Sequence, residues 1–184
     1  MRAALEQLVG TATRPPIVAP TGSGKTVIAA EIINRVIARV GRVLVIAHRR
    51  EIIRQTADKL IAAGVTSGIV LAGFEKELRP YANVQVAGIQ TLHAPAIRSN
   101  RVPMPAATLV IVDEAHHARA KTYQAVIDAY PDTIIIGLTA TPVRGDGRGL
   151  GNIFDQIIEA RSHEPRIIPA STAFGGVSGP SWCA

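Results

Sequence analysis

The sequence predicts an α/β domain, a parallel β-sheet flanked by helices on both faces. Three observations carry that prediction. Short, nearly unbroken apolar runs recur at Val43–Ala47, Thr108–Val112 and Thr133–Leu138, and strands without polar alternation are those covered on both faces. Helical patterns separate these runs, as crossovers between parallel strands require. An earlier run, Ile17-Val18-Ala19, leads through Pro20-Thr21-Gly22-Ser23-Gly24-Lys25-Thr26 into a long helical pattern. Strand, glycine-rich turn and helix in that order are the setting of a phosphate-binding loop.

Taken in order, Met1–Gly10 reads as a short helix with Leu5, Leu8 and Val9 on one face and Gly10 as its stop. A turn over Thr11–Pro16 precedes the first strand. The helix Val27–Val40 is apolar around most of its circumference, as expected for packing on a sheet, and Gly41 is expected to end it. After the strand Val43–Ala47, the helix Arg50–Ala63 groups Ile52, Ile53, Ala57, Leu60 and Ile61 against Arg50, Glu51, Arg54 and Asp58, and stops at Gly64. Gly68–Leu71 and Val84–Ala87 are weaker strands separated by a polar loop. Ile89–Ile97 reads as a short helix interrupted by Pro95, and Arg98–Ala106 as a proline-bearing loop. The strand Thr108–Val112 follows, then a helical pattern over Ala115–Tyr130 stopped by Pro131-Asp132, then the strand Thr133–Leu138. Arg144–Gly151, with four glycines, reads as a flexible loop. Ile167–Ala184 holds no charged residue, so the folded domain is expected over residues 1–160. Residues 161–184 are expected to stand apart as a low-charge, poorly ordered tail or the start of a further segment.

The 184 residues suffice for one domain with a proper core. No apolar run approaches the ~18 residues of a membrane span, and no signal-peptide pattern opens the chain. A single cysteine, Cys183, excludes disulfides within the chain and cysteine-based metal sites. A cytoplasmic location is expected. The net charge of +6 suits a polyanionic partner such as nucleic acid, although a merely basic surface has the same charge. Aromatic residues are only 4% of the chain, which favours backbone contact over base stacking.

The chemistry concentrates in three stretches. At the glycine turn, Gly22 and Gly24 let successive N–H groups, with those of Thr21 and Ser23, wrap an anion at the start of a helix. Lys25 would place a charge on the β/γ-phosphates and Thr26 a hydroxyl on Mg²⁺. The alternative is a glycine turn followed by a chance Lys-Thr. The apolar run Thr108–Val112 ends in Asp113-Glu114-Ala115-His116. In a parallel sheet, ligands lie at the carboxyl ends of strands, so Asp113 can hold Mg²⁺ opposite Thr26, and Glu114 can polarise a water. Two such acids can also cap the following helix. Leu138-Thr139-Ala140-Thr141-Pro142 delivers hydroxyls to the same edge, or is an ordinary strand exit. His93, His117 and His163 lack a ligand pattern, and Tyr123, Tyr130 and Phe154 read as core residues.

With these residues in view, the chain resembles superfamily 2 helicases. Ala19–Thr26, Ala47-His48-Arg49-Arg50-Glu51, Gly88-Ile89-Gln90-Thr91-Leu92, Asp113–His116 and Leu138–Pro142 look like motifs I, Ia, Ib, II and III. The Asp-Glu-Ala-His-His run and the glycine-rich stretch after Thr141 are most similar to bacterial DEAD/DEAH-box helicases related to type III restriction-enzyme subunits. The likeness runs from Arg2 to about Ile158. It implies a first RecA-like domain of the P-loop NTPase class that binds ATP with Mg²⁺ and contacts a nucleic-acid backbone; DNA is the favoured polymer, with RNA the alternative. It also implies that His116, Thr139 and Thr141 couple the nucleotide state to nucleic acid, and that His48, Arg49, Gln90 and Thr91 lie along the strand. Arg49 reads equally as a plain surface arginine.

The departures from that pattern shape the expectation of function. The resemblance calls for a second RecA-like domain with an arginine finger, which does not fit after Pro142, and for an upstream glutamine segment that reads adenine. The chain is therefore expected to need a second RecA-like domain or a partner subunit for motor activity. Two readings stand: an ATP-hydrolysing motor domain of a helicase or translocase, and a non-catalytic nucleotide- and nucleic-acid-binding fragment or half of a split motor. A small-molecule kinase on a phosphate-loop fold explains neither Asp113–His116 nor the basic stretch after Ala47.

Overall fold

The computed structural model describes residues 16–18, 25–71, 79, 81–94, 104–115, 121–139, 156–159 and 166–169. They form β1 (Pro16–Val18), α1 (Lys25–Ala38), β2 (Val43–Ala47), α2 (Arg50–Ala62), β3 (Ser67–Val70), β4 (Val84–Gly88), the helical turn α3 (Ile89–Thr91), β5 (Leu109–Asp113), α4 (Lys121–Asp128), β6 (Ile134–Thr139), β7 (Gln156–Glu159) and β8 (Arg166–Pro169). The expected helix over Met1–Gly10 and the glycine loop Arg144–Gly151 lie outside the described residues.

One sheet in the order β3-β4-β2-β5-β6-β1-β7-β8 organises the molecule. All pairings from β3 to β7 are parallel, and β8 closes the series antiparallel to β7. Strand alternation sorts the apolar side chains into two cores. Val43, Val45 and Ala47 of β2, with Leu109 and Ile111 of β5 and Ile136 and Leu138 of β6, pack with Ala29, Ala30, Ile32 and Ile33 of α1 and Ile53, Ala57 and Leu60 of α2. Leu44, Ile46, Val110, Val112 and Ile135 face the other way, onto Tyr123, Val126 and Ile127 of α4 and onto Tyr130. β2 and β4 are buried at every position; β2 is an unbroken apolar run, and in β4 the buried Gln85 donates its side-chain N–H to the carbonyls of Arg79 and Ala82.

Several expectations change. Residues 161–184 were expected to stand apart, yet Arg166–Pro169 joins the sheet, with Ile157 opposite Ile168 and Ile158 opposite Ile167. Neither β7 nor β8 was expected, because an Ile-Ile pair between polar residues is too short to show a period. On α2, Ile61 is 57% exposed rather than buried with its neighbours. The spacing 53, 57, 60 defines the buried stripe, and Ile61 sits about 40° beyond its edge. Of the helical pattern expected over Ala115–Tyr130, α4 covers Lys121–Asp128, with residues 116–120 outside the described residues. The short helix expected over Ile89–Ile97 is helical over residues 89–94, α3 passing into a wider turn, and 95–97 lie outside the described residues.

Both long helices end in the same hydrogen-bonded motif with different residues. In α2, Gly64 takes the left-handed position at φ 79, and Val65 N donates to Leu60 O at 2.8 Å. In α1 that position falls to Val40, at φ 60, with Gly41 N donating to Val36 O at 2.9 Å. Gly41, expected to end the helix, follows that left-handed residue. It is glycine for a different reason: a Cβ there would run into Val36 and lie 2.8 Å from Thr108 Oγ1. Thr108 Oγ1 also accepts from Arg42 N and donates to Arg42 O, both at 3.0 Å, tying the start of β5 to that of β2.

Candidate functional site at the carboxyl edge of the sheet

The register brings the carboxyl ends of five neighbouring strands to one edge. Ala47 lies opposite Gly88, Ile46 opposite Val112, Asp113 opposite Leu138 and Thr139 opposite Val18. Across this edge run, in spatial order, the residues after β4 (Gln90, Thr91), those after β2 (His48, Arg49), Asp113-Glu114, Thr139, and the end of β1. Six residues separate Val18 from Lys25, where α1 begins. β1, whose end precedes this link, lies beside the strand that carries Thr139, and that strand lies beside the one that carries Asp113. Thr21, Gly22, Ser23, Gly24, His116 and Thr141 lie outside the described residues. Lys25 and Thr26 open α1.

The acidic pair has a geometry that the sequence did not announce. Asp113 is the last residue of β5, half-buried, and its Oδ1 accepts a hydrogen bond from Glu114 N at 3.0 Å. Glu114 then adopts φ 52, the left-handed region, which costs a residue with a side chain about 1–2 kcal/mol. Had the strand continued, successive side chains would point to opposite faces. With the chain turned, Asp113 and Glu114 line the same cavity of about 280 Å³, between α1 and α2 over the sheet. Ala29 and Ile33 of α1 form one wall, and Ile52 and Lys59 of α2 contribute to the other. The result is two carboxylates on the side of the sheet from which α1 rises, next to an apolar wall. Carboxylate oxygens at a strand end suit a hard divalent cation that keeps most of its other ligands from water or phosphate. Among the described residues no group of three His, Cys, Asp or Glu side chains is placed to hold a metal by itself.

Thr139 is fully buried at the end of β6 and, by alternation from Ile136 and Leu138, falls on the α4 side. On that side Tyr123 and Tyr130 are buried, as expected of core residues. Burial raises both phenol pKa values, and for Tyr123 the negative charges of Asp113 and Glu114 add to the rise.

The residues expected along nucleic acid are exposed on the β2–β4 side of the edge, apart from the half-buried Thr91. Because Ala47 and Gly88 are paired, the turns after them meet, and Gln90 Nε2 lies 3.5 Å from His48 Nδ1. Arg49 is the N-cap residue of α2, extended at φ −109, and its carbonyl accepts from Ile53 N at 3.1 Å. The structure thus joins His48 to Gln90, and sets Arg49 beside them.

Comparison with known proteins adds an independent line. The family model described as "Type III restriction enzyme, res subunit" matches residues 1–144. A 51.5 kDa protein of Lactococcus phage (isolate 7-9) is 34% identical over 148 residues, covering 80% of this chain and 28% of its own length. The putative ATP-dependent helicase IRC3 of Saccharomyces cerevisiae is 31% identical over 156 residues, covering 77% of this chain and 22% of its own. The chain thus spans about a quarter of the length of these relatives. Among solved structures, the Hef helicase domain of Pyrococcus furiosus superposes with a TM-score of 0.70 at 24% identity, over 88% of this chain and 38% of that one. At that identity the likeness speaks for the fold.

Proposed function

Because the chain belongs to the type III restriction enzyme res subunit family and carries the first RecA-like domain of a superfamily 2 helicase, we propose that it is the MgATP-binding, ATP-hydrolysing motor domain of a DNA helicase or translocase. The observation that carries this reading is the turn at Glu114, which sets two adjacent carboxylates on one side of the sheet, facing α1. A helix cap or a structural pair of acids has no need of a strained backbone at that point.

Each residue has a defined task in this reading. The N–H groups of Thr21, Gly22, Ser23 and Gly24, at the positive end of α1, hold the phosphates, and Lys25 neutralises them. Thr26 and Asp113 supply the protein oxygens for Mg²⁺, a set consistent with its preference for few carboxylates. When bound, the metal ion neutralises charge on the β- and γ-phosphates. Glu114 orients the attacking water and accepts its proton on a carboxylate oxygen. Thr139, with His116 and Thr141, senses that event at the same edge. His48, Arg49, Gln90 and Thr91 hold the nucleic-acid backbone two strands away. The phosphate contacts position the polymer without reading its sequence. Motor activity draws on a second RecA-like domain or a partner subunit, because translocation needs two bodies that close around the nucleotide.

Steady-state hydrolysis of MgATP with and without duplex DNA, against Glu114→Gln, tests the proposal. A DNA-stimulated rate that the variant abolishes is expected. A rate no higher than the variant's, with or without DNA, would leave the second reading, a nucleotide-binding fragment or half of a split motor.

A further inference from the structure

The edge at which the strands begin, opposite the acids, is a level platform. Ser67 of β3, Val84 of β4, Val43 of β2 and Leu109 of β5 lie side by side in register, so these strands start at one height. The segments that lead into β2, β3 and β4 hold Val40, Ile61 and Tyr81, the large apolar side chains that stand exposed among the described residues. Val40 and Tyr81 are 92% and 91% exposed, and each stands three residues before one of the paired residues Val43 and Val84. Paired strands lie about 4.8 Å apart, so neighbouring turns present the two side chains. Exposed apolar residues are ordinary singly; gathered on adjoining turns they mark a contact surface.

The turn that carries Tyr81 is held from below. Gln85, 6% exposed, donates its side-chain N–H groups to Arg79 O at 2.5 Å and Ala82 O at 3.2 Å, and Ala82 N donates to Arg79 O at 2.9 Å. Gly68, opposite Gln85, leaves room for this, since a Cβ there would lie 2.6 Å from Gln85 Oε1 and 2.9 Å from Arg79 O. A buried amide and a glycine thus fix the shape of a turn whose aromatic ring faces solvent. Val40, just after α1, takes φ 60, a conformation that glycine adopts freely, yet a branched apolar side chain stands there. Core packing explains neither side chain.

Charge sets the kind of partner. Residues 39–42, 61–66 and 79–83 include Arg39, Arg42 and Arg79 and no acidic residue. The three arginines are exposed, and none has a carboxylate partner among the described residues. An apolar surface with unpaired positive charge complements an acidic segment that carries an apolar anchor. Nucleic acid fits less well, because it has no use for Val40 and Ile61, and one aromatic ring makes no stacking track. Two copies of this edge would repel each other.

We propose that this edge docks an acidic segment of another protein, Tyr81 and Val40 receiving its apolar anchor and Arg39, Arg42 and Arg79 its carboxylates. The surface lies across the sheet from Asp113 and Glu114, and the inference does not rest on the MgATP reading.

Random twelve-residue peptides displayed on phage are the probe, selected on the full chain with an excess of soluble Tyr81→Ser chain as competitor. The selected peptides, synthesised with a fluorescent label, are then titrated against both chains. They should be net acidic, carry an aromatic or branched apolar residue, and bind wild type at least about tenfold more tightly than Tyr81→Ser, the scale of an interface anchor. Arg39→Glu combined with Arg79→Glu should weaken them as much, and added salt should weaken them on wild type. The altered side chains are exposed, so both variants should melt as wild type does; the arginine pair carries the test should Tyr81→Ser melt lower. Peptides that bind all chains equally, or that are neutral or basic, would overturn the proposal. So would a random-sequence DNA oligonucleotide whose binding Tyr81→Ser weakens tenfold, since the edge would then hold nucleic acid. A wild-type dimer in sedimentation that Tyr81→Ser abolishes would make the occupant a second copy, and overturn it too.

Discussion

Glu114 and Val40 both hold left-handed backbone, at φ 52 and φ 60, and they separate function from stability cleanly. Val40 is 92% exposed and ends a helix where glycine is the usual residue. Val40→Gly should raise unfolding free energy by about 1 kcal/mol, and Val40→Ala by less, in urea denaturation. At Glu114 the same backbone carries the carboxylate to which the proposed function assigns the attacking water. Glu114→Gly should be more stable than Glu114→Ala by about 1 kcal/mol, yet both should hydrolyse ATP at least about 100-fold more slowly than wild type. Equal stability of the two variants would mean that the turn is not strained. The two acids were legible in the sequence because carboxylates at the end of an apolar strand have few uses. The turn between them was not, since glutamate carries no signal for positive φ.

At the scale of elements, the joints matter more than the rods. Gly41 lies where the end of α1 meets the start of β5, and Gly41→Ala should destabilise by about 1–3 kcal/mol through the collision with Val36 and Thr108. A small effect would show that the joint has slack. Arg49 starts α2 beside the His48–Gln90 contact. Arg49→Ala should weaken duplex binding alike on all sequences and reduce the slope of log K against log salt by about one. An unchanged slope would make it a plain surface arginine. Most strands and both long helices were legible because each has either an unbroken apolar run or a 3.6-residue stripe. β7 and β8 have neither, and gain their place only from pairing with each other and with β1.

Across the whole molecule, the order of the strands is what no local pattern could give. Sequence places β1 and β2 next to each other, but β5 and β6 lie between them in the sheet. That insertion separates the turn after β1 from the turn after β2, and puts the acids between the two. His48, Arg49 and Gln90 thereby share an edge with Asp113 and Glu114 without lining the cavity that holds the two acids. Charge alone, +6 over the chain, does not say which edge of the sheet carries the exposed His48 and Arg49.

β2 sits between β4 and β5, buried at every position, with apolar cores above and below. Its amides have no route to solvent short of opening the whole domain. In hydrogen–deuterium exchange they should be the last to label, at a rate that reports global stability. The chain ends of the same strand, at His48 and Arg49, should label within the shortest pulse. A five-residue strand thus carries both the slowest clock in the protein and, a peptide bond away, one of the fastest.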